Sequence, residues 1–127
     1  MDDAGNTFRK LSEFKNSPTM EVFRKKCDLR LGLSHPTKSE WKRLIHDFSR
    51  FMPLTYSALG GNDILSLYEL RVCVLLLAGF NTAEIIILLA TSPQSLTNLK
   101  SKANNKLFGE SSASTLERNL MNTVGLA

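Results

Sequence analysis

The sequence predicts an all-α fold, and three observations support this prediction. Apolar residues recur at spacings of three and four along most of the chain, whereas the period-two alternation of a half-buried strand is rare. Capping patterns of the form S/T-x-x-E recur, and Ser-Pro pairs mark two further helix starts. Apolar residues make up 43% of the 127 residues, which is enough to build a core and argues against wholesale disorder.

The first 60 residues are expected to form a helical extension or connector. Residues 6–15 predict one short helix, and a second is expected over residues 20–31. Ser17-Pro18 gives the second helix an N-cap followed by proline at the first helical position, where its missing N–H costs nothing. Gly32 ends this helix, because glycine readily adopts the left-handed conformation found after a helix.

A third helix is predicted from the capping box of Thr37 and Glu40 to Pro53, with a short turn over residues 54–59. Its apolar residues at helical spacing are Trp41, Leu44, Ile45, Phe48 and Met52. Together with Phe51 they are too apolar to remain in water, so residues 18–59 are not expected to be a free linker. We expect them to pack against a helix that contains Leu70, Val74 and Leu77.

The second segment, residues 61–127, is predicted to form a domain of four helices. A capping box at Ser66 and Glu69 opens its first helix, which Gly79 ends. A second, approximate box at Asn81 opens a very apolar helix that reaches Ala90.

Two more helices complete the segment. Ser92 is an N-cap with Pro93 at the first helical position, and this helix covers residues 93–108 and ends at Gly109. The pattern Ser114-Thr115-Leu116-Glu117 predicts a fourth capping box, which opens a helix to about residue 123.

The distribution of charge indicates a polyanionic partner near the third of these helices. The net charge is +4, yet residues 61–127 are neutral overall. Between Glu84 and Glu110 there is no acidic residue, and the charged residues are Lys100, Lys102 and Lys106. A local stretch without acids is a better sign of a polyanionic partner than overall basicity.

A helical wheel of residues 93–108 separates an apolar stripe from a polar face. The stripe consists of Leu96, Leu99, Ala103 and Leu107. The opposite side presents Gln94, Asn98, Ser101 and Asn105, with Thr97 and Lys102 at its edge. Short amides and hydroxyls at the centre can reach base edges, while flanking lysines can reach phosphates on both walls of a groove. The same wheel also fits the solvated face of an ordinary helical bundle.

The preceding helix favours the DNA-binding interpretation. A short apolar helix, a tight connection at Thr91-Ser92 and a longer basic helix form a helix-turn-helix in outline. Residues 84–86 are expected to pack under the second helix and brace it. The residues predicted to contact DNA are Thr82, Ser92, Gln94, Ser95, Thr97, Asn98, Lys100, Ser101, Lys102, Asn105 and Lys106. The alternative is a helical protein-interaction or adaptor module that does not bind DNA.

The stretch "LSLYELRVCVLLLAGFNTAEIIILLATSPQSLTNLKSKANNKLFG", residues 65–109, resembles the LuxR/GerE-type helix-turn-helix of bacterial transcriptional regulators. The matching positions are Leu65, Ser66, Glu69, Gly79, Glu84, Ile85, Ser92, Ser95, Leu96, Lys106 and Leu107. The chain departs from the family pattern at Ile86, Leu99 and Ala103. These three substitutions alter the packing of the helices. Leu99 also replaces a histidine that many members of the family use for a phosphate contact.

The resemblance implies a sequence-specific transcriptional regulator whose partner is double-stranded DNA. It implies a four-helix arrangement over residues 61–127 and a homodimer on DNA, with two recognition helices about 34 Å apart. The implied dimer contact consists of Leu116, Leu120, Met121 and Val124. An upstream sensor region, often of tetratricopeptide repeats, and RNA polymerase are the other partners that it implies.

Other function classes have no motif in their favour. Neither a phosphate-binding glycine loop nor a metal-ligand spacing occurs, so no cofactor, metal or enzymatic activity is expected. Cys27 and Cys73 are interpreted as reduced thiols in or near a core, although a Cys–His catalytic pair would meet only in space. The longest apolar run, residues 72–80, is far shorter than the roughly 20 residues of a membrane span. A soluble, cytoplasmic protein without membrane contact is expected.

Overall fold

A computed structural model describes residues 3–61 and 63–124, and all regular structure in these ranges is helical. The all-α prediction is therefore confirmed. The helices are α1 (Asp3–Lys15), α2 (Pro18–Cys27), α3 (Lys38–Phe51), α4 (Pro53–Ala58), α5 (Leu67–Leu77), α6 (Thr82–Leu89), α7 (Pro93–Phe108) and α8 (Leu116–Thr123).

The predicted caps account for most helix starts. The side chains of Thr37, Ser66 and Asn81 each accept a hydrogen bond from the third helical amide, and the glutamate at that position accepts one from the cap's backbone N–H. Ser17 and Ser92 each accept from the third helical amide of α2 and α7, without a reciprocal glutamate, and each is followed by proline. These bonds satisfy amide groups that lack a partner within the helix, so residues close in sequence stabilise each first turn.

Three helix starts or ends differ from the prediction. Helix α1 begins at Asp3, three residues before the predicted start at residue 6. The second helix stops at Cys27, and a 3-10 turn (Leu29–Leu31) precedes Gly32, because the side chain of Asp28 accepts from the Arg30 amide and starts a new turn. The predicted box at Ser114 does not form, and α8 begins at Leu116 without a side-chain cap. The hydroxyl of Thr115 instead donates to Glu110.

One hydrophobic core runs through both segments of the described chain. Helix α2 packs against α6, α3 against α5, and α5 against α7 and α8. The buried α3 side chains Trp41, Leu44 and Phe48 lie in the same cluster as the α5 residues Leu70, Val74 and Leu77. The segment before residue 60 is thus part of the body that supports α6 and α7.

Within residues 3–61 and 63–124, no helix combines the length and the apolar character that crossing a bilayer requires.

Candidate nucleic-acid interface

Three residues, 90–92, connect α6 to α7, a length typical of a helix-turn-helix. Ala90 ends α6 in the left-handed conformation, with φ 51° and ψ 49°. Ser92 then caps α7 by accepting from the Ser95 amide at 3.1 Å. The direction of α7 is therefore determined by one left-handed residue and one cap.

Helix α6 is held mainly by α2 rather than by α7. Its side chains Ile85 and Leu88 are buried in the common core, and Ile86 is partly buried against it. The thiol of Cys27 lies 4.0 Å from the Glu84 carbonyl oxygen, which marks the closeness of α2. The N-terminal segment thus holds α6, a contact that the sequence alone did not reveal, and the expected bracing of α7 by residues 84–86 stays a prediction.

The predicted two-sided character of α7 is present. Leu96 and Ala103 are buried, while Leu99 and Leu107 are half-buried against the core. Ser101 is half-buried on the outer side. The exposed outer residues are Gln94, Ser95, Thr97, Asn98, Lys102, Asn105 and Lys106.

Two of the predicted base-reading side chains contact each other. Gln94 Nε2 donates to Asn98 Oδ1 at 3.1 Å, one helical turn away. Thr97 bonds back to the Pro93 carbonyl oxygen at 3.0 Å. The side chains of Gln94 and Asn98 are both exposed, so the hydrogen bond between them can be replaced by hydrogen bonds to a ligand at little cost in free energy.

The three lysines of α7 have different surroundings. Lys100 donates to the Thr82 hydroxyl at 3.3 Å and so joins α7 to the first turn of α6. Lys106 lies 2.7 Å from a carboxylate oxygen of Glu69 on α5. Lys102 is exposed and belongs to no ion pair among the described residues. Of the three, Lys102 is therefore best placed to contact a phosphate.

Glu69 combines a cap with a long-range ion pair. Its side chain is 4% exposed and accepts from the Ser66 amide at 2.9 Å as well as from Lys106. Burial opposes ionisation of the carboxyl, but the hydrogen bonds from Lys106 and Ser66 outweigh it and lower its pKa. The sequence identified the cap but not the pairing with Lys106, which lies 37 residues away.

A buried amide, Asn104, holds the C-terminal end of α7 to the next helix. Its Nδ2 donates to the Ser112 carbonyl oxygen at 2.6 Å and to the Thr115 hydroxyl at 2.8 Å. Its Oδ1 accepts from Asn119 at 2.9 Å, and Asn119 also donates to Glu110. Asn104 is fully buried. Its role could not be predicted from the sequence, because nothing in the neighbouring residues indicates its distant partners.

The surface along α7 is concave on both sides of Lys102. One depression of about 370 Å³ reaches from Lys102 past Asn98 to Tyr68. A second, of about 290 Å³, lies between Lys102 and Ser111. Among the described residues, no carboxylate lines either depression, so the lack of acids in the sequence extends to this surface.

Three of the four residues predicted to form a dimer contact lie in the chain's own core. Leu116, Leu120 and Val124 are buried, and Met121 is half-buried. They dock α8 on α5 and α7, which explains their helical spacing without a second copy. The homodimer on DNA stays a prediction, and any contact through α8 would have to use its exposed side chains.

The two cysteines have the properties of structural thiols. Burial, with a smaller contribution from the charge of Glu84, raises the pKa of Cys27 to about 11. Burial raises the pKa of Cys73 to about 12, with Glu69 adding to the effect. Both thiols are therefore protonated at neutral pH, whereas a nucleophile or metal ligand must be a thiolate. No cluster of three or more metal-ligating side chains occurs among residues 3–61 and 63–124.

Comparison of the chain with family models, curated proteins and solved structures finds no match. The resemblance to the LuxR/GerE-type helix-turn-helix therefore rests on the residues of this sequence and stays a prediction.

Proposed function

We propose that this chain is a non-enzymatic DNA-binding transcriptional regulator that inserts α7 into the major groove of double-stranded DNA. The observation that carries the proposal is the outer face of α7. This face combines exposed amides and hydroxyls with Lys102, and within residues 3–61 and 63–124 no carboxylate lines the depressions beside it. Amides and hydroxyls can form hydrogen bonds with base edges, and lysines neutralise phosphates. The face of α7 therefore carries groups for reading bases and for contacting the backbone of DNA.

The support that α7 receives fits this role. Its inner side packs on α5 and α8, and the Asn104 network links its C-terminal end to α8. A reading helix must be held rigidly, because base-edge hydrogen bonds require a fixed register and direction. The polar face of α7 is thus presented by a packed scaffold.

The proposal is tested by selecting a duplex from a random pool and measuring its affinity at about 50 and 200 mM salt. Binding through phosphates makes the affinity fall steeply between these concentrations. We expect Asn98→Ala to weaken binding to the selected duplex by about 1–3 kcal/mol. This loss should come from a single base pair of the site, so that the variant no longer discriminates between bases at that position. Lys102→Met should weaken binding to all duplexes alike and reduce the salt slope by about one.

Matched controls come from residues outside the proposed face. Arg43→Met removes an exposed cation from α3 and should leave the affinity and the salt slope unchanged. If no duplex is enriched, or if Arg43→Met and Lys102→Met reduce the slope equally, α7 is not the DNA-binding face.

A protein-interaction module is the second candidate function, and one observation favours it. The segment around the 3-10 turn exposes Leu29, Leu31 and Leu33 with 75%, 51% and 50% of their surfaces accessible. Clustered apolar side chains of this kind can mark a protein contact. A chain that binds no duplex, but loses association with a protein partner when Leu31 is changed to Ser, would favour this function.

A further inference from the structure

A cleft of about 250 Å³ lies between the first turns of α3 and α5 and shares no lining residue with the depressions beside α7. Its apolar lining comes from Trp41 and Leu70, which are 6% and 2% exposed, and from Ile45 and Leu67. Lys38 and Lys42, one turn apart on α3, and Arg71 on α5 also line it. No carboxylate from the described part of the chain lines the cleft, so three cations there meet an apolar surface without an acid.

Arg71 is the unusual member of this group. Only 8% of it is exposed, and its guanidinium lies between the rings of Trp41 and Tyr68, 4.6 and 5.2 Å from their centroids. Its Nε is buried and has no hydrogen-bond acceptor in the part of the chain that the structure describes. Arg71 also forms no ion pair there. A buried guanidinium stays charged, and a donor without an acceptor is rare in native proteins.

The size and lining of the cleft define what would compensate this charge. Its volume is below the range of about 300–1,000 Å³ typical of drug-sized ligands, so a small molecule fits. The cations require a negative group, for which a carboxylate matches the planar donors of arginine. The Trp41 ring and the Leu70 side chain require an apolar body.

We propose that the cleft between α3 and α5 binds a small organic anion with an apolar body. Lys42 and Arg71 contact its charged group, and Trp41 and Leu70 pack against the rest. The site is separate from the outer face of α7 and does not depend on DNA binding.

Trp41 is the single tryptophan of the chain, so its fluorescence reports on the cleft directly. Titration of the full chain with hexanoate, without DNA, should give a saturable change in Trp41 emission, while sodium chloride at equal ionic strength should not. Hexan-1-ol, which lacks the charge, and acetate, which lacks the apolar body, should each bind about tenfold more weakly or worse.

The most informative variant is Lys42→Gln. Lys42 is exposed, so its replacement should not disturb the packing of Arg71 between the rings of Trp41 and Tyr68. It should weaken hexanoate binding about tenfold, the loss expected for one charged hydrogen bond. The neighbouring Arg43→Gln does not alter the cleft lining and should bind like the parent chain. Arg71→Gln should weaken binding further, with circular dichroism to check that it folds.

Three results would overturn the proposal: no saturable change with hexanoate, hexan-1-ol binding as tightly as hexanoate, or equal affinities for Lys42→Gln and Arg43→Gln. None of these depends on whether the chain binds DNA.

Discussion

The ammonium group of Lys106 lies 2.7 Å from Oε1 of Glu69, and this ion pair joins the end of α7 to the first turn of α5. Glu69 is the buried partner, with 4% of its side chain exposed, whereas 41% of Lys106 is exposed. A lysine predicted to contact DNA thus also serves as the counterion of a buried carboxylate. In the free chain, the Glu69 carboxylate therefore offsets part of the positive charge of Lys106.

Removing this lysine should therefore reduce stability. Lys106→Met leaves the Glu69 carboxylate with only its backbone donor, and we expect the free energy of unfolding to fall by about 1–3 kcal/mol. Lys102→Met, on the same helix but without an ion pair in the described structure, should change it by less than about 0.5 kcal/mol. Urea unfolding of the two variants makes the comparison. Equal stabilities would show that the pair contributes nothing.

The lowered pKa of Glu69 makes part of the stability depend on pH. Ionised Glu69 stabilises the folded chain above the ordinary glutamate pKa of 4.5, and this contribution is lost as the pH falls through the lowered value. Glu69→Gln should therefore be less stable than the parent at neutral pH, and the difference should shrink as the medium becomes acidic. Urea midpoints measured across this interval test the prediction; a difference that does not vary with pH would contradict it.

The adjacent residues Asn104 and Asn105 provide a matched test of the buried network. Asn104→Ala leaves polar groups of α8 and its preceding loop without their partners, so we expect a loss of about 1–3 kcal/mol in the free energy of unfolding. Asn105 is exposed, and its replacement by Ala should cost little. Similar losses for both variants would mean that the network does not hold α8.

Features that depend on neighbours in the chain could be predicted from the sequence, and features that depend on distant partners could not. The caps at Ser66, Asn81 and Ser92 follow from residues three positions apart, so their patterns sufficed. The pairing of Lys106 with Glu69 requires α5 and α7 to be in contact first. The pattern at Ser114 does not produce a side-chain cap, and the hydroxyl of the neighbouring Thr115 donates to Glu110.

Ala90 offers a test of the connection between α6 and α7. For a residue with a Cβ, the left-handed conformation costs roughly 1–2 kcal/mol, which glycine avoids at an entropic cost of about 0.4–1 kcal/mol. We expect Ala90→Gly to raise the free energy of unfolding by up to about 1 kcal/mol. Ala83→Gly, within the same helix, should lower it by about 1 kcal/mol. If thermal unfolding showed both variants destabilised alike, Ala90 would not be left-handed in solution.

A second basic surface offers DNA an alternative to the proposed contact through α7. Residues 1–60 contain eleven Lys or Arg against seven Asp or Glu. Exposed Arg24, Lys25 and Arg43 on α2 and α3 could attract DNA without any role for α7.

The most direct measurement follows backbone amide NMR signals of the labelled chain as the selected duplex is added. The proposed function predicts that the largest shifts occur at exposed α7 residues, from Gln94 to Asn105, and at Thr82, and that the signals of Arg24, Lys25 and Arg43 do not shift. Largest shifts at Arg24, Lys25 and Arg43, with α7 unchanged, would contradict the assignment of α7 as the DNA-binding helix.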